Sequence, residues 1–369
     1  MTPSAADRKE LVTVPVLLSD ATYNVVIGDD AIDRTGNLVI EVHAAGKVAV
    51  VTDSNVAPLY ADRVLASLTR AGFTPSLIVV PAGEPSKCLA GVEMICDAMI
   101  SAGLDRGALL IALGGGVVGD LAGFAAAVYF RGIPFIQVPT TVVAQVDSAV
   151  GGKTGVNATG GKNLIGAFHQ PVLVVSDPRT LSTLPAREFN EGVAEIIKHA
   201  AIRAPQMLDE LIPAKRDGLA SLVAKNVEIK AAIVAADEFE TTGQRALLNF
   251  GHTIGHAIEN AAGYGELLHG EAISIGLHAA LRLSREFAGL SESDMERVLD
   301  ALRGFDLPLQ IPANLDSEQI LSAMMKDKKF TSGKMRFVLL KALGDPIIAD
   351  HVTPDAVRSV IAELTISRQ

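Results

Sequence analysis

Tryptophan is absent from this 369-residue chain, and aromatic residues make up only 4% of it. With 33 glycines and several Ala-rich stretches, that composition favours an α/β protein over an all-β sandwich. Cysteine is nearly absent too: Cys88 and Cys96 are the whole inventory. On one helix their Cα atoms would stand roughly 12 Å apart, and a disulfide needs less than about 7 Å. Both are expected as free thiols packed like small hydrophobes. Positive charge is in deficit, with 32 Lys and Arg against 42 Asp and Glu, a net charge of −10. That makes the chain a poor candidate for sequence-independent nucleic-acid binding, which needs a basic excess, and on its face it argues against an anionic substrate as well. The opening MTPSAADRKE has no apolar segment of the secretory kind and is expected to be a short flexible tail. The long apolar run at 108–130 carries one charge, Asp120 near its middle, beside a triple glycine. A strand, a glycine turn and a packed helix explain it better than a membrane span. The chain is therefore expected to be cytoplasmic, with no membrane partner.

What is present is a hydrophobic fraction of 49% with 20% charged residues, enough for substantial cores and too apolar for disorder. The first half alternates short apolar runs (47–52, 76–80, 108–113, 133–138, 172–176) with helical stretches. Continuous apolar strands between helices predict a Rossmann-like parallel sheet buried on both faces, doubly wound by right-handed crossovers. After about Leu184 helical patterns dominate, at 186–203, 217–240, 246–261, 269–288 and 291–303. The expected organisation is an α/β domain at 1–184 and a mostly α-helical domain at 185–369, with a small ligand between them.

Gly114-Gly-Gly-Val-Val-Gly119-Asp120 fits G-x-G-x-x-G at the end of a predicted strand, where glycines let backbone approach a pyrophosphate at a helix N-terminus. It lies on the third αβ strand rather than the first, and no acidic residue follows about 20 positions later, so a mere tight turn is the competing reading. Asp53, Thr140 and Thr141 close other strands and offer a carboxylate and hydroxyls to a dinucleotide, although Asp and Thr also cap ordinary turns. Gly151-Gly-Lys-Thr resembles a Walker A loop, but neither Asp147 nor Ser148 supplies its upstream glycine. Through Lys162 and Asn163 that segment is expected to be a glycine-rich loop suited to an anion, or else simply a solvated one.

Five of the eight histidines fall between His199 and His278. On one helix Asn249, His252, His256 and Glu259 would share a stripe of about 80°, with Ile254 and Ile258 facing away. A solvated face usually carries Lys and Glu, whereas this one carries imidazoles and an amide. His252 and His269 lie on different predicted helices and Glu195 on a third. Three such ligands leave coordination positions open, which suits a catalytic metal rather than a closed structural one.

At this point the strings GGGVVGDLAGFAAAVYFRG, QVPTTVVAQVDSAVGGKTGVN, GGKNLIGAFHQP, EGVAEIIKHA, LNFGHTIGHAIE, LHGEA and MKDKK matter together. Over nearly its full length the chain resembles the 3-dehydroquinate synthase family. The resemblance implies an NAD-dependent, Zn- or Co-dependent lyase of aromatic amino-acid biosynthesis and an expected homodimer. Its substrate would be a small anionic sugar phosphate, 3-deoxy-D-arabino-heptulosonate 7-phosphate, converted to 3-dehydroquinate and phosphate. The steps would be oxidation at C5, β-elimination of phosphate, reduction, ring opening and aldol closure. Residue by residue, it implies Glu195, His252 and His269 as metal ligands. Asp53, Glu84, Lys87, Gly115, Gly116, Asp120, Thr140, Thr141, Lys162, Thr183 and Glu188 would contact NAD. Lys153, Asn163 and Arg245, with Arg131 from a partner subunit, would grip the phosphate. Asp147, Lys198, Lys230, Asn249, His256 and one lysine of the Lys328–Lys329 pair, Lys328 preferred, would complete the pocket, His256 as a proton relay.

One departure shows: the loop before Arg245 is a residue longer than the family pattern leads us to expect. Rival readings are a valiolone-type sugar-phosphate cyclase, a metal-dependent polyol dehydrogenase with net redox turnover, and a non-catalytic NAD-binding scaffold. The first would change the carboxylate-facing residues kept here, and the other two have no use for so basic a pocket. That pocket, with Lys153, Lys198, Lys230 and Arg245, would place a local cationic cluster in an acidic protein.

Overall fold

A computed structural model describes residues 10–19, 22–211, 218–263, 266–326 and 336–366. The chain divides into two units, Met1–Leu184 with Arg216–Phe239, and Pro185–Lys215 with Glu240–Gln369.

The first unit holds strands β1 (Val12–Leu17), β2 (Thr22–Ile27), β3 (Lys47–Asp53), β4 (Thr74–Val80), β5 (Leu109–Gly114), β6 (Phe135–Pro139), β7 (Lys153–Ala158), β8 (Gly161–Phe168) and β9 (Leu173–Ser176). Its helices are α1 (Thr35–Val39), α2 (Asp62–Arg70), α3 (Leu89–Ser101) and α4 (Gly116–Val128). Among the described residues seven strands form one sheet, in the order β1-β2-β9-β6-β5-β3-β4. The sheet is parallel from β2 through β4, and only the β1–β2 edge is antiparallel. The sequence reading did not pick out this edge hairpin, whose VTVPVL strand alternates exposed and buried residues instead of forming an apolar run.

Strand β5 shows why such a run belongs in a two-faced sheet. Leu110 and Ala112 point into a core with α3 and α4 residues Ile95, Leu121 and Ala125. Leu109, Ile111 and Leu113 point the other way, against Val64 and Leu68 of α2. Truncating such a fully buried residue, as in Ile111→Ala, costs about 2–5 kcal/mol.

The glycine-rich loop expected around 151–163 is instead an antiparallel hairpin of β7 and β8. Its strand β8 is mostly half-buried or exposed, so hydrophobic periodicity gave no strand signal there.

In the second unit run α5 (Ala186–Arg203), and later α7 (His252–Ala262), α8 (His269–Ala288), α9 (Glu292–Gly304) and α10 (Ser317–Lys326). The hairpin β10 (Phe337–Ala342) and β11 (Asp345–Ala349) follows, and then α11 (Pro354–Leu364). Ile254, Ile258, Ile275, Leu283, Leu339 and Ile361 share one core. The intervening helix α6 (Ala220–Ala236) packs on β1 and β2 and belongs to the first unit. A single boundary near 185 placed it with the second, because its helical pattern records its type and not its partner.

Candidate active site

The parallel strands of the first unit deliver a row of polar residues to one edge of the sheet. The chain steps from β3 out to β4 and returns to β5 on the other side of β3, a switch point at which ligands of such sheets sit beyond the carboxyl ends. Asp53 ends β3, Glu84 and Lys87 follow β4, Gly115 and Gly116 follow β5, Thr140 and Thr141 follow β6, and Thr183 comes after β9. Asp53 Oδ1 accepts from the Asn55 and Val56 N–H groups at 2.8 and 2.9 Å, so that oxygen caps the next turn. Thr140 Oγ1 is buried with no hydrogen-bond partner among the described residues. Gly115 precedes α4, and a Cβ there would meet Thr141 Cγ2 at 2.9 Å.

Beside this edge lies a compact polar patch. Lys87 Nζ donates to Asp120 Oδ2 at 2.5 Å and to Asn163 Oδ1 at 2.6 Å. Lys162 Nζ stands 3.8 Å from Glu84 Oε1. Burial pushes the Asp120 carboxyl up, and Lys87 opposes that rise. Lys153 opens β7, where it is exposed. Lys230, on α6, donates to the Asp147 backbone oxygen at 2.5 Å and pairs with its Oδ1 at 2.7 Å. Arg131 is exposed and sits within three consecutive left-handed residues, Phe130 (φ 48°), Arg131 (φ 70°) and Gly132 (φ 120°). The two residues other than glycine cost roughly 1–2 kcal/mol each in that conformation.

The second unit gathers the metal candidates. Glu195 is fully buried on α5, and its Oε1 lies 3.3 Å from both His252 Nε2 and His269 Nε2. Among the described residues neither Glu195 oxygen has a hydrogen bond of good geometry, although Lys198 Nζ pairs with Oε2 at 2.5 Å. Ligand atoms held roughly 2.0–2.2 Å from a tetrahedral ion stand roughly 3.4 Å apart, so this spacing fits a shared divalent ion. The ring tautomers fit as well. His252 Nδ1 meets the Phe250 carbonyl at 3.1 Å and His269 Nδ1 meets Glu259 Oε2 at 3.4 Å, which turns both Nε2 atoms inward. His256 belongs to the same cluster, with one donor atom each of His252, His256 and His269 within 4.8 Å of one another.

The electrostatics ask for a cation here. Burial alone would raise the Glu195 carboxyl, but Lys198 and the two imidazoles outweigh it and hold it well below the usual range. Burial pushes His252 down, with Lys198 and His269 adding to the effect. Burial also works against charge on His269, yet Glu195 and Glu259 overcome it and push its pKa up to about 10. An imidazole between two carboxylates is a place for a proton or for a metal ion.

Asn249 is not on the histidine helix as the stripe implied. It ends a short 3-10 turn (Arg245–Asn249), and Gly251, at φ 79°, separates that turn from α7. A Cβ on Gly251 would meet Leu277 Cδ2 at 2.8 Å, so neither the left-handed backbone nor the packing admits a side chain. Arg245 is buried, with Nε 3.9 Å from Glu240 Oε1. Glu188, near the start of α5, has a buried Oε2 without a hydrogen-bond partner among the described residues. Lys328 lies outside the described residues. Asn157, which ends the string GKTGVN, was given no role by sequence reasoning, and Glu259 was given a place on the polar stripe but no part in holding His269.

Comparison with known proteins shows a match to the 3-dehydroquinate synthase N-terminal family model over residues 77–191 and to the 3-dehydroquinate synthase C-terminal model over residues 192–330. A 3-dehydroquinate synthase of Nitrobacter winogradskyi is 45% identical over 366 residues, covering 95% of this chain and 95% of that protein. Among solved structures, a 2-deoxy-scyllo-inosose synthase complexed with carbaglucose-6-phosphate, NAD+ and Co2+ superposes with a TM-score of 0.87. It is 26% identical and covers 95% of this chain and 100% of its own. A 2-epi-5-epi-valiolone synthase from Streptomyces hygroscopicus subsp. jinggangensis, with NAD+ and Zn2+ bound, gives a TM-score of 0.86 at 30% identity, covering 94% of this chain and 98% of its own.

Proposed function

The chain belongs to the 3-dehydroquinate synthase family and turns 3-deoxy-D-arabino-heptulosonate 7-phosphate into 3-dehydroquinate and phosphate, and we propose that its own residues divide that work between cofactor, metal and substrate. Glu195, His252 and His269 hold the divalent ion, Zn or Co. The observation that carries this part is Glu195 Oε1 standing 3.3 Å from both imidazole Nε2 atoms. Asp53, Glu84, Lys87, Gly115, Gly116, Asp120, Thr140, Thr141, Lys162, Thr183 and Glu188 hold NAD. When bound, the two groups supply a hydride acceptor that later returns the hydride, and a Lewis acid for the substrate hydroxyls.

The protein's own contribution is binding and proton management. Lys153, Asn163 and Arg245 grip the phosphate, together with Arg131 of the partner protomer in a homodimer. Asp147 orients Lys230 through the observed pair, and Lys198, Asn249 and Lys328 complete the pocket around the rest of the substrate. His256 moves the proton of the C5 hydroxyl. The substrate's own phosphate takes the proton at elimination, so the chain need not supply a further base. Among the described residues no helix is long and apolar enough to cross a membrane, and we place the enzyme in the cytoplasm.

The test is phosphate release by purified protein with NAD and Zn or Co, run on heptulosonate phosphate and sedoheptulose phosphate side by side. Release from the first without NADH accumulation is expected. Preference for the second would support a valiolone-type cyclase, and steady NADH accumulation a polyol dehydrogenase.

A further inference from the structure

Asn157 sits at the end of β7 and uses both ends of its side chain. Its Nδ2 donates to Glu84 Oε1 at 2.8 Å, and its Oδ1 accepts the backbone N–H of Asn163 at 3.0 Å. Its own backbone N–H donates to the Lys87 carbonyl at 2.9 Å. Lys87 Nζ in turn reaches Asn163 Oδ1 at 2.6 Å, and the Lys87 N–H closes on the Glu84 carbonyl at 3.0 Å. The result is a closed circuit of four residues that joins the turn after β4 to the β7–β8 hairpin.

Two features of the circuit need Asn157 in particular. Asn163 adopts a left-handed backbone, φ 56°, which asparagine tolerates better than other side chains but which its hydrogen bonds select here. The Asn157 amide oxygen fixes that residue's N–H, and so fixes the direction in which its side chain leaves. Glu84 sits near Lys162, and the Asn157 amide hydrogen helps keep the carboxylate turned toward the hairpin. Of the natural side chains this short, only an amide donates on one side and accepts on the other from a single planar group. The amide thus sets the geometry of two residues with different ligands, one on the cofactor side and one on the phosphate side.

We propose that Asn157 is a positioning residue that couples the NAD-contacting turn, through Glu84, to the phosphate-gripping Asn163. This rests on the ligand roles assigned to Glu84 and Asn163 above. Replacing the amide by a carboxylate separates its two functions. In Asn157→Asp the acceptor for Asn163 N–H survives, while the donor to Glu84 is lost and two carboxylates face each other. In Asn157→Ala both ends are lost.

The experiment measures NAD affinity by isothermal titration calorimetry without substrate, and KM and kcat for heptulosonate phosphate, with thermal denaturation as the check on folding. Expected for Asn157→Asp is an NAD Kd raised about tenfold with the substrate KM within about threefold of the parent. Expected for Asn157→Ala is a rise of about tenfold in both. Equal effects of the two variants on NAD Kd and KM, or no effect of either, would overturn the proposal. Glu84→Ala and Asn163→Ala are run alongside. If those two leave NAD Kd and KM unchanged, the underlying ligand assignment fails. If they respond and Asn157→Ala does not, the assignment stands and the coupling role falls.

Discussion

At the carboxyl edge of the sheet, Glu84 and Lys162 keep 28% and 29% of their side chains exposed. In the helical unit, Glu195 and Lys198 keep 0% and 1%. The first group is carried on turns and a hairpin and is tied together by cross-bonds among short polar side chains. The second is carried on helices, out of water, where each charge depends on a named opposite charge. Around Glu84 and Lys162 a polar group can lose one partner and recruit water, although Lys87 beside them is buried. A buried charge that loses its partner has no such recourse. The comparison therefore predicts large, indivisible effects in the second unit and smaller, separable ones in the first.

The sharpest break would come from Glu195→Gln. It keeps the volume but removes the charge facing His252, His269 and Lys198, so divalent-metal affinity should fall on the order of 1,000-fold or more, beyond the range of a supporting residue. NAD affinity should stay within about twofold. Metal titration with a chelating indicator and NAD binding calorimetry read the two separately, and unchanged metal affinity sinks the ligand assignment. Next in size is Glu259→Gln, which still accepts a hydrogen bond from His269 Nδ1 but carries no charge. It should weaken metal binding about 10–100-fold, seen in the same titration. An effect as large as that of Glu195→Gln would make Glu259 a ligand.

Gly115→Ala tests the other region. Its new Cβ would stand 2.9 Å from Thr141 Cγ2, and overpacking of this kind costs about 1–3 kcal/mol, equivalent to roughly 5- to 150-fold in NAD Kd. Metal affinity should not change, and if it does the two regions are not separable. The smallest effect is a proton count. With its pKa near 10 in the metal-free protein, His269 carries a proton at neutral pH that coordination must displace. His252 is held down and contributes none. Metal binding should therefore release about one proton, and affinity should rise up to about tenfold per pH unit until the pH passes about 10. In the metal-free protein the same shift has the opposite sign for stability. The His269 contribution is full below the ordinary histidine value of 6.5 and is lost as pH rises through about 10. Calorimetry in buffers of different ionisation enthalpy counts the proton, and a count near zero contradicts the assignment.

Much of this was legible in the residue order. The apolar runs of β3 to β6 and of β9, the breaks between them, and the span of helices α5 and α8 follow from hydrophobic period and turn chemistry. The separation of Glu195, His252 and His269 onto three helices was legible too. Strands β1 and β8 were not, because alternating exposure on an edge strand or a surface hairpin looks much like a polar loop. Asn249 was misplaced onto the histidine helix, since periodicity runs straight through Gly251 and only its left-handed backbone interrupts it. Helix α6 was recognised as a helix but not as a member of the first unit.

Sequence by itself determined the type of the long apolar strands and amphipathic helices, the acidic net charge and the identity of the groups available for chemistry, because those depend on local propensity and composition. Only the tertiary structure decided that Glu195 Oε1 stands midway between two imidazoles, that Glu259 turns one of them, and that Asn157 ties Glu84 to Asn163. Those contacts join residues as much as 74 positions apart. Their geometry is fixed by how helices and strands pack, which no local pattern records.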